Sequence, residues 1–234
     1  MIDSRYLLSL PNIPKTFLLN VNSDNKYKSF QKDGCFKSSL YFQEETLKAI
    51  ESLAYKRLFK VKSVKDFRIH KTIKLEKNEI EIIKNSSVWE NIINFAGAGL
   101  KRTPFLDMAT MNYLDSPKNN YLYQSQSWHH DNKGNQVKCI ILMTDVPENG
   151  QVTSYITKSQ NVIRLGYDKK SRLKEKDLDI FLKKGEKKNL YGKRGSFYFI
   201  HTNGIHRGNC IKNAKERIVI TLNFVSRFSK NINS

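Results

Sequence analysis

Little in this chain suggests a framework of covalent or metal cross-links. It has three cysteines, Cys35, Cys139 and Cys210, spread widely and without a Cys-x-x-Cys pair. An odd, scattered set argues against a disulfide scaffold or a structural zinc site, and makes a reducing cytoplasmic setting the default expectation. Long apolar runs are also missing. The stretch Leu7 to Leu10 is too short for a signal peptide or a membrane span, and nothing later reaches the required length. Internal repeats and low-complexity tracts are absent too.

Acidic residues are scarce: 22 Asp and Glu face 41 Lys and Arg, a formal charge of +19. That imbalance favours an anionic partner. Lys predominates, however, alongside abundant Asn and Ile, as an AT-rich genome would produce. Arg-rich, aromatic-interleaved patches of the kind that bind nucleic acid are missing, so nucleic acid is an improbable partner. The 234 residues suffice for one sizeable domain.

The first hundred residues read as mainly helical support. Asp33-Gly34 marks a turn before a short strand. Leu47, Ile50, Leu53 and Ala54 fall on helical spacing, as do the apolar positions of 78–98, which the Gly97-Ala98-Gly99 turn is expected to close. His70, among apolar neighbours, reads as a surface or core residue. After residue 100 the pattern changes to short strands: 103–113, 121–131, 136–146, 151–156, 196–200 and 217–225. Residues 164–194 form a basic insert with a short helix around Leu178 to Leu182, long enough to suggest a lid. The expected fold is mainly β with flanking helices (α+β), a double-stranded β-helix or jelly roll spanning 101–228 of a single domain, 1–234.

The chemistry concentrates in Ser127-Trp128-His129-His130-Asp131. On a strand, His129 and Asp131 point to the same face, so an imidazole nitrogen and a carboxylate oxygen can meet at one point. The chain has only five histidines. Four lie at the ends of expected strands, as His129/His130 and His201/His206. His129, Asp131 and His206 would make a two-His, one-carboxylate face for a divalent metal, with positions left open. Spacing alone does not separate this from a zinc site. Arg217, 11 residues after His206, shares a strand face with Val219, Thr221 and Asn223. A buried Arg without an acidic neighbour asks for a bound carboxylate, which its planar fork would grip bidentately. Metal face and Arg together suit a chelating 2-oxo diacid.

These stretches resemble, in order, the Fe(II)/2-oxoglutarate oxygenases of the phytanoyl-CoA dioxygenase-like family. The matching segments are Phe30 to Gly34 with the helix from Glu44, Trp128 to Asp131, Glu148-Asn149-Gly150 with Ile156 to Ser159, and Gly195 to His206 with Arg217. The resemblance covers about 28–226. It implies that His129, Asp131 and His206 bind Fe(II), and that Arg217 holds the distal carboxylate of 2-oxoglutarate. It further implies hydroxylation of an unactivated C–H of a small metabolite, with O2 consumed and succinate and CO2 released. Asp131 favours hydroxylation, since related halogenases lack this carboxylate.

Two departures stand out: Gly208 where many members carry Ser or Thr, and Thr157-Lys158 with Gln160 in the segment after the Glu-Asn-Gly turn. Asn112 and Lys138 are further candidates for the cosubstrate pocket, and Trp128 and His201 for substrate contact. His130 points the opposite way from its neighbours and is left out of the ligand set. The rival readings are an AlkB-type nucleic-acid demethylase and a non-catalytic, anion-binding jelly-roll module.

Overall fold

The computed structural model describes residues 25–61, 70–115, 126–131, 135–161, 172–209 and 211–226. Cys210, the apolar positions of 62–69, the loop 116–120 and the first part of the basic insert fall outside them. Two antiparallel sheets make the framework. The larger consists of β1 (Cys35–Tyr41), β2 (His70–Lys74), β3 (Pro104–Leu114), β5 (Gln136–Leu142), β9 (Ser196–His201) and β11 (Arg217–Ser226), in the order β1-β9-β5-β11-β3-β2. The smaller consists of β4 (Trp128–His129), β6 (Thr153–Ile156), β7 (Arg172–Leu173), β8 (Lys187–Leu190) and β10 (His206–Gly208), in the order β7-β4-β10-β6-β8. Together they form the expected jelly roll. No described helix is long and apolar enough to cross a membrane.

Helices cover one face of the large sheet. They are α1 (Asn25–Asp33), α2 (Glu44–Lys60), α3 (Lys77–Lys84) and α4 (Trp89–Leu100). Each turns an apolar stripe inward. In α2 the buried set is Leu47, Ile50, Ala54 and Leu58, spacing that keeps one helix face against the sheet, whereas Leu53 lies outside the stripe and is exposed. Phe30, Phe95 and Phe199 form the centre of this core; the Phe95 and Phe199 rings stack at 4.6 Å.

Two local expectations are corrected. Residues 78–98 are two helices, because the chain breaks at Asn85–Val88. Gly97 to Gly99 is not a closing turn but the last part of α4. A Cβ on Gly99 would come within 2.6 Å of Phe30 and Val137, so its bare backbone lets α4 sit tightly on the sheet, and Lys101 (φ 53°) ends the helix in its place. The expected turn at Asp33-Gly34 is present: Phe30 to Asp33 ends α1, and Gly34 (φ 78°) turns the chain into β1.

The basic insert is less detached than a lid. In its described part β7 extends the small sheet beside β4, and β8 closes the opposite edge next to β6. Between them the short helix α5 (Asp179–Leu182) buries Phe181 against Leu178, Leu173 and Trp128. The lysines that made 187–190 look like loop are edge-strand residues, where charge discourages further pairing.

Candidate metal centre and cavity

His129 and His206 face one another on neighbouring strands. Their register is direct, β10 to β4, and their rings lie 4.3 Å apart between centroids. Asp131 follows β4 by two residues and is held by its amide donating to the Thr202 carbonyl at 3.0 Å. His129 Nε2 and His206 Nε2 lie 3.9 and 4.0 Å from Asp131 Oδ1. One ligand atom from each of the three residues falls within 4.8 Å of the others.

Backbone contacts fix which nitrogen faces inward. His129 Nδ1 lies 2.8 Å from the Ser127 carbonyl and His206 Nδ1 lies 2.9 Å from the Gly204 carbonyl. A carbonyl only accepts, so each Nδ1 carries the proton and each Nε2 presents its lone pair to the shared point. Burial keeps both rings neutral, lowering His129 to about 4 and His206 to about 3, the latter also through its neighbour His129. Burial alone would raise the Asp131 carboxyl. Lys138, His206 and His129 outweigh that and hold it well below the usual carboxylate range. Lys138 Nζ binds the second oxygen, Oδ2, at 2.5 Å, leaving Oδ1 toward the histidines.

These donors fit a divalent metal: two bare imidazole nitrogens and one ionised oxygen around a common point. Tyr155 backs His206 from the paired strand β6, its ring near-parallel at 6.5 Å. Its hydroxyl donates to the His201 carbonyl at 3.1 Å. Gly204 makes room for it, since a Cβ there would fall 1.7 Å from the Tyr155 hydroxyl.

A cavity of about 570 Å³ opens from His129 and His206 across the inner face of the large sheet. Arg217, Asn112 and Lys138 all line it. Arg217 is buried, 8% exposed, and donates to the Gln151 carbonyl at 2.5 Å and toward Thr153 Oγ1 at 3.4 Å. Among the described residues it has no carboxylate partner, and its Nε makes no hydrogen bond. Desolvation pulls its pKa below the ordinary value, opposed by Tyr198. A buried donor left unpaired costs about 1–3 kcal/mol, so the cavity is incomplete around this residue without an anion. Asn112 is tied to Thr72 (2.9 Å) and Thr110 (3.1 Å). Lys138 faces inward, but here its ammonium is engaged by Asp131.

The two residues suggested for substrate contact lie elsewhere. Trp128 is adjacent to His129 on β4 and therefore points to the opposite face. It packs with Leu173, Phe181 and Ile205, donates to Glu175 at 3.1 Å, and carries the Arg207 guanidinium 4.4 Å above its ring. His201 follows the cavity-lining Ile200 and turns away by the same alternation. His130 is buried outside both the ligand group and the cavity lining.

Several lining residues were not among the site candidates, His70 among them, which read as surface or core. His70, Thr72 and Lys74 alternate along β2, and Thr153, Arg207 and Asn223 contribute from other strands. The period-2 pattern of His-Lys-Thr-Ile-Lys was the available signal for the first three.

No protein-family model matches the chain, and no curated protein matches it. Solved structures do. SnoN from nogalamycin biosynthesis, a non-heme α-ketoglutarate-dependent epimerase, superposes with a TM-score of 0.67 at 12% identity, over 89% of this chain and 84% of SnoN. SnoK, an α-ketoglutarate-dependent carbocyclase of the same biosynthesis, gives 0.61 at 13%, over 87% and 83%. EctD from S. alaskensis with 2-oxoglutarate and 5-hydroxyectoine gives 0.56 at 14%, over 86% and 74%. At such identities the likeness establishes a shared fold.

Proposed function

We propose that this chain is an Fe(II)- and 2-oxoglutarate-dependent oxygenase of the phytanoyl-CoA dioxygenase-like type, hydroxylating a C–H of a small molecule. The observation that carries this reading is the pairing of two features in one cavity. At one side stand two neutral histidine nitrogens, with the ionised carboxylate oxygen of Asp131 beside them; at the other stands a buried arginine without an acidic partner among the described residues. The fold neighbours add support, since SnoN has been solved with Fe3+ and α-ketoglutarate, and EctD with bound Fe.

When bound, iron and 2-oxoglutarate would supply the oxidising chemistry, with succinate and CO2 as by-products. The chain's own residues hold and orient. His129 and His206 offer Nε2 in a tautomer fixed by backbone carbonyls. Asp131 offers Oδ1, while Lys138 keeps Oδ2 occupied and so favours single-oxygen ligation. Arg217 grips the distal carboxylate. Gly208 cannot supply the hydroxyl that many family members place there. Thr153, its register partner on β6, brings a hydroxyl to Arg217 instead. It already accepts from Tyr198 at 3.2 Å, which leaves its own proton to donate to a carboxylate.

A cavity of this size is within the range for small-molecule ligands, in keeping with a metabolite rather than a polymer. The test is iron-dependent turnover of 2-oxoglutarate. Purified protein with Fe(II), O2 and 2-oxoglutarate is expected to release succinate, slowly without substrate. His206→Ala and Asp131→Ala should be silent. Succinate release that persists in both variants would contradict the proposal.

A further inference from the structure

The cavity extends beyond the part that iron and 2-oxoglutarate would use. Strand β11 lays Arg217, Val219, Thr221 and Asn223 along its floor. Arg217 and Asn223 are the two ends of this row, about 20 Å apart on an extended strand. Asn223 is in register with Lys138, whose ammonium holds Asp131, so it belongs to the half away from Arg217. It is 6% exposed, and its carboxamide Oδ1 makes no hydrogen bond among the described residues. A buried acceptor in a cavity wall calls for a donor.

Charge along the cavity points to the rest of the ligand. Among the described residues lining the cavity there is no Asp or Glu, while Lys74, Lys138, Arg207 and Arg217 all contribute. Asp131 engages Lys138, Glu175 engages Arg207 at 2.8 Å, and the proposed cosubstrate would engage Arg217. Lys74, exposed where it lines the cavity, has no anionic partner among the described residues. It is in register with Thr110, and Thr110 with Thr221, which places it next to the Asn223 half. Thr110 and Thr221 bring hydroxyls to this half beside the apolar Met108 and Ile140, so it suits a molecule that carries hydroxyls on a carbon frame. A cationic amine would meet Lys74 with no carboxylate to offset it.

We infer that this half of the cavity binds a hydroxylated small-molecule anion as the primary substrate, a hydroxyl donating to Asn223 Oδ1 and a carboxylate or phosphate resting on Lys74. The inference rests on the proposed function. It assigns Asn223 and Lys74 to substrate recognition, separate from the metal ligands and from Arg217.

The test is a binding comparison with the full chain, loaded anaerobically with Fe(II) and 2-oxoglutarate. Four panels of probes are titrated by calorimetry: hydroxy carboxylates, phosphate monoesters of sugars and polyols, the neutral polyols, and amino alcohols. Binders are expected in the first two panels, and whichever panel holds the tighter ones identifies the oxyanion. For the best of them, Asn223→Ala and Lys74→Gln should each raise Kd by at least about tenfold, roughly 1.4 kcal/mol. Asn223→Asp, which keeps the shape and adds a negative charge, should raise it further. All three should leave the Kd of 2-oxoglutarate within twofold of wild type.

Best binders among the neutral polyols or amino alcohols would overturn the inference. So would the absence of any binder, or an unchanged Kd in Asn223→Ala. Failure of 2-oxoglutarate to bind the wild-type protein bears on the proposed function instead. In that case the four panels are titrated on the metal-free chain, where the same ranking decides the matter.

Discussion

The two faces of the large sheet are built from the same strands and do opposite things. Along β11, Ile218, Ile220, Leu222 and Phe224 enter the core beneath the helices, while Arg217, Val219, Thr221 and Asn223 look into the cavity. The alternation comes from the strand's two-residue period. On the helix side the side chains are large, apolar and fully buried. On the cavity side the row includes an arginine and an asparagine that are nearly as buried but incompletely hydrogen-bonded. One face is finished by the protein alone; the other leaves Arg217 Nε and Asn223 Oδ1 unpaired among the described residues. Residues that look equally buried should therefore respond differently to substitution.

The largest effect is expected from the metal ligands. His206→Ala should reduce iron-dependent succinate formation by more than about a hundredfold, since removing even the outer partners of metal ligands costs about 10–100-fold. Steady-state assays at saturating Fe(II) would measure it. Next comes the helix-side face. Phe224→Ala should destabilise the fold by about 3–5 kcal/mol, read from urea unfolding, because it empties a fully buried site. Arg217→Met should do the reverse. Replacing an unpaired buried cation with an apolar chain should leave stability unchanged or raise it, while removing about 2–5 kcal/mol of 2-oxoglutarate binding. Equal losses of stability in Phe224→Ala and Arg217→Met would break the distinction between the faces. The smallest effect belongs to Thr221→Val. It removes one long hydrogen bond from Asn112 (3.5 Å) and should cost no more than about 1 kcal/mol of stability.

Much of this arrangement is legible in the chain itself. The alternation of β11 could be read directly, and it placed Arg217 and Asn223 on one face before their surroundings were known. The histidine clusters were legible because the chain has so few histidines and because each sits where a strand ends. What could not be read is what depends on neighbours distant in sequence. Lys138 on β5 reaches Asp131 after β4, and Thr153 on β6 meets Arg217 on β11, contacts that join strands of different sheets. Trp128 looked like a site residue by adjacency to His129, yet adjacency on a strand means opposite faces. The glycines of α4 resembled a turn because their packing against Phe30 and Val137 is invisible in one dimension. The lysines of β8 hid a strand, since an edge strand needs no apolar pattern on its outer face.

The central claim is that His129, Asp131, His206 and Arg217 together complete themselves with iron and 2-oxoglutarate. Anaerobic titration with Fe(II) and then 2-oxoglutarate, followed in the visible spectrum, tests it most directly. A weak charge-transfer band should appear only when both are present. It should vanish in His206→Ala and require a much higher 2-oxoglutarate concentration in Arg217→Met. No band in the wild-type protein, or an equal band in His206→Ala, would contradict the account.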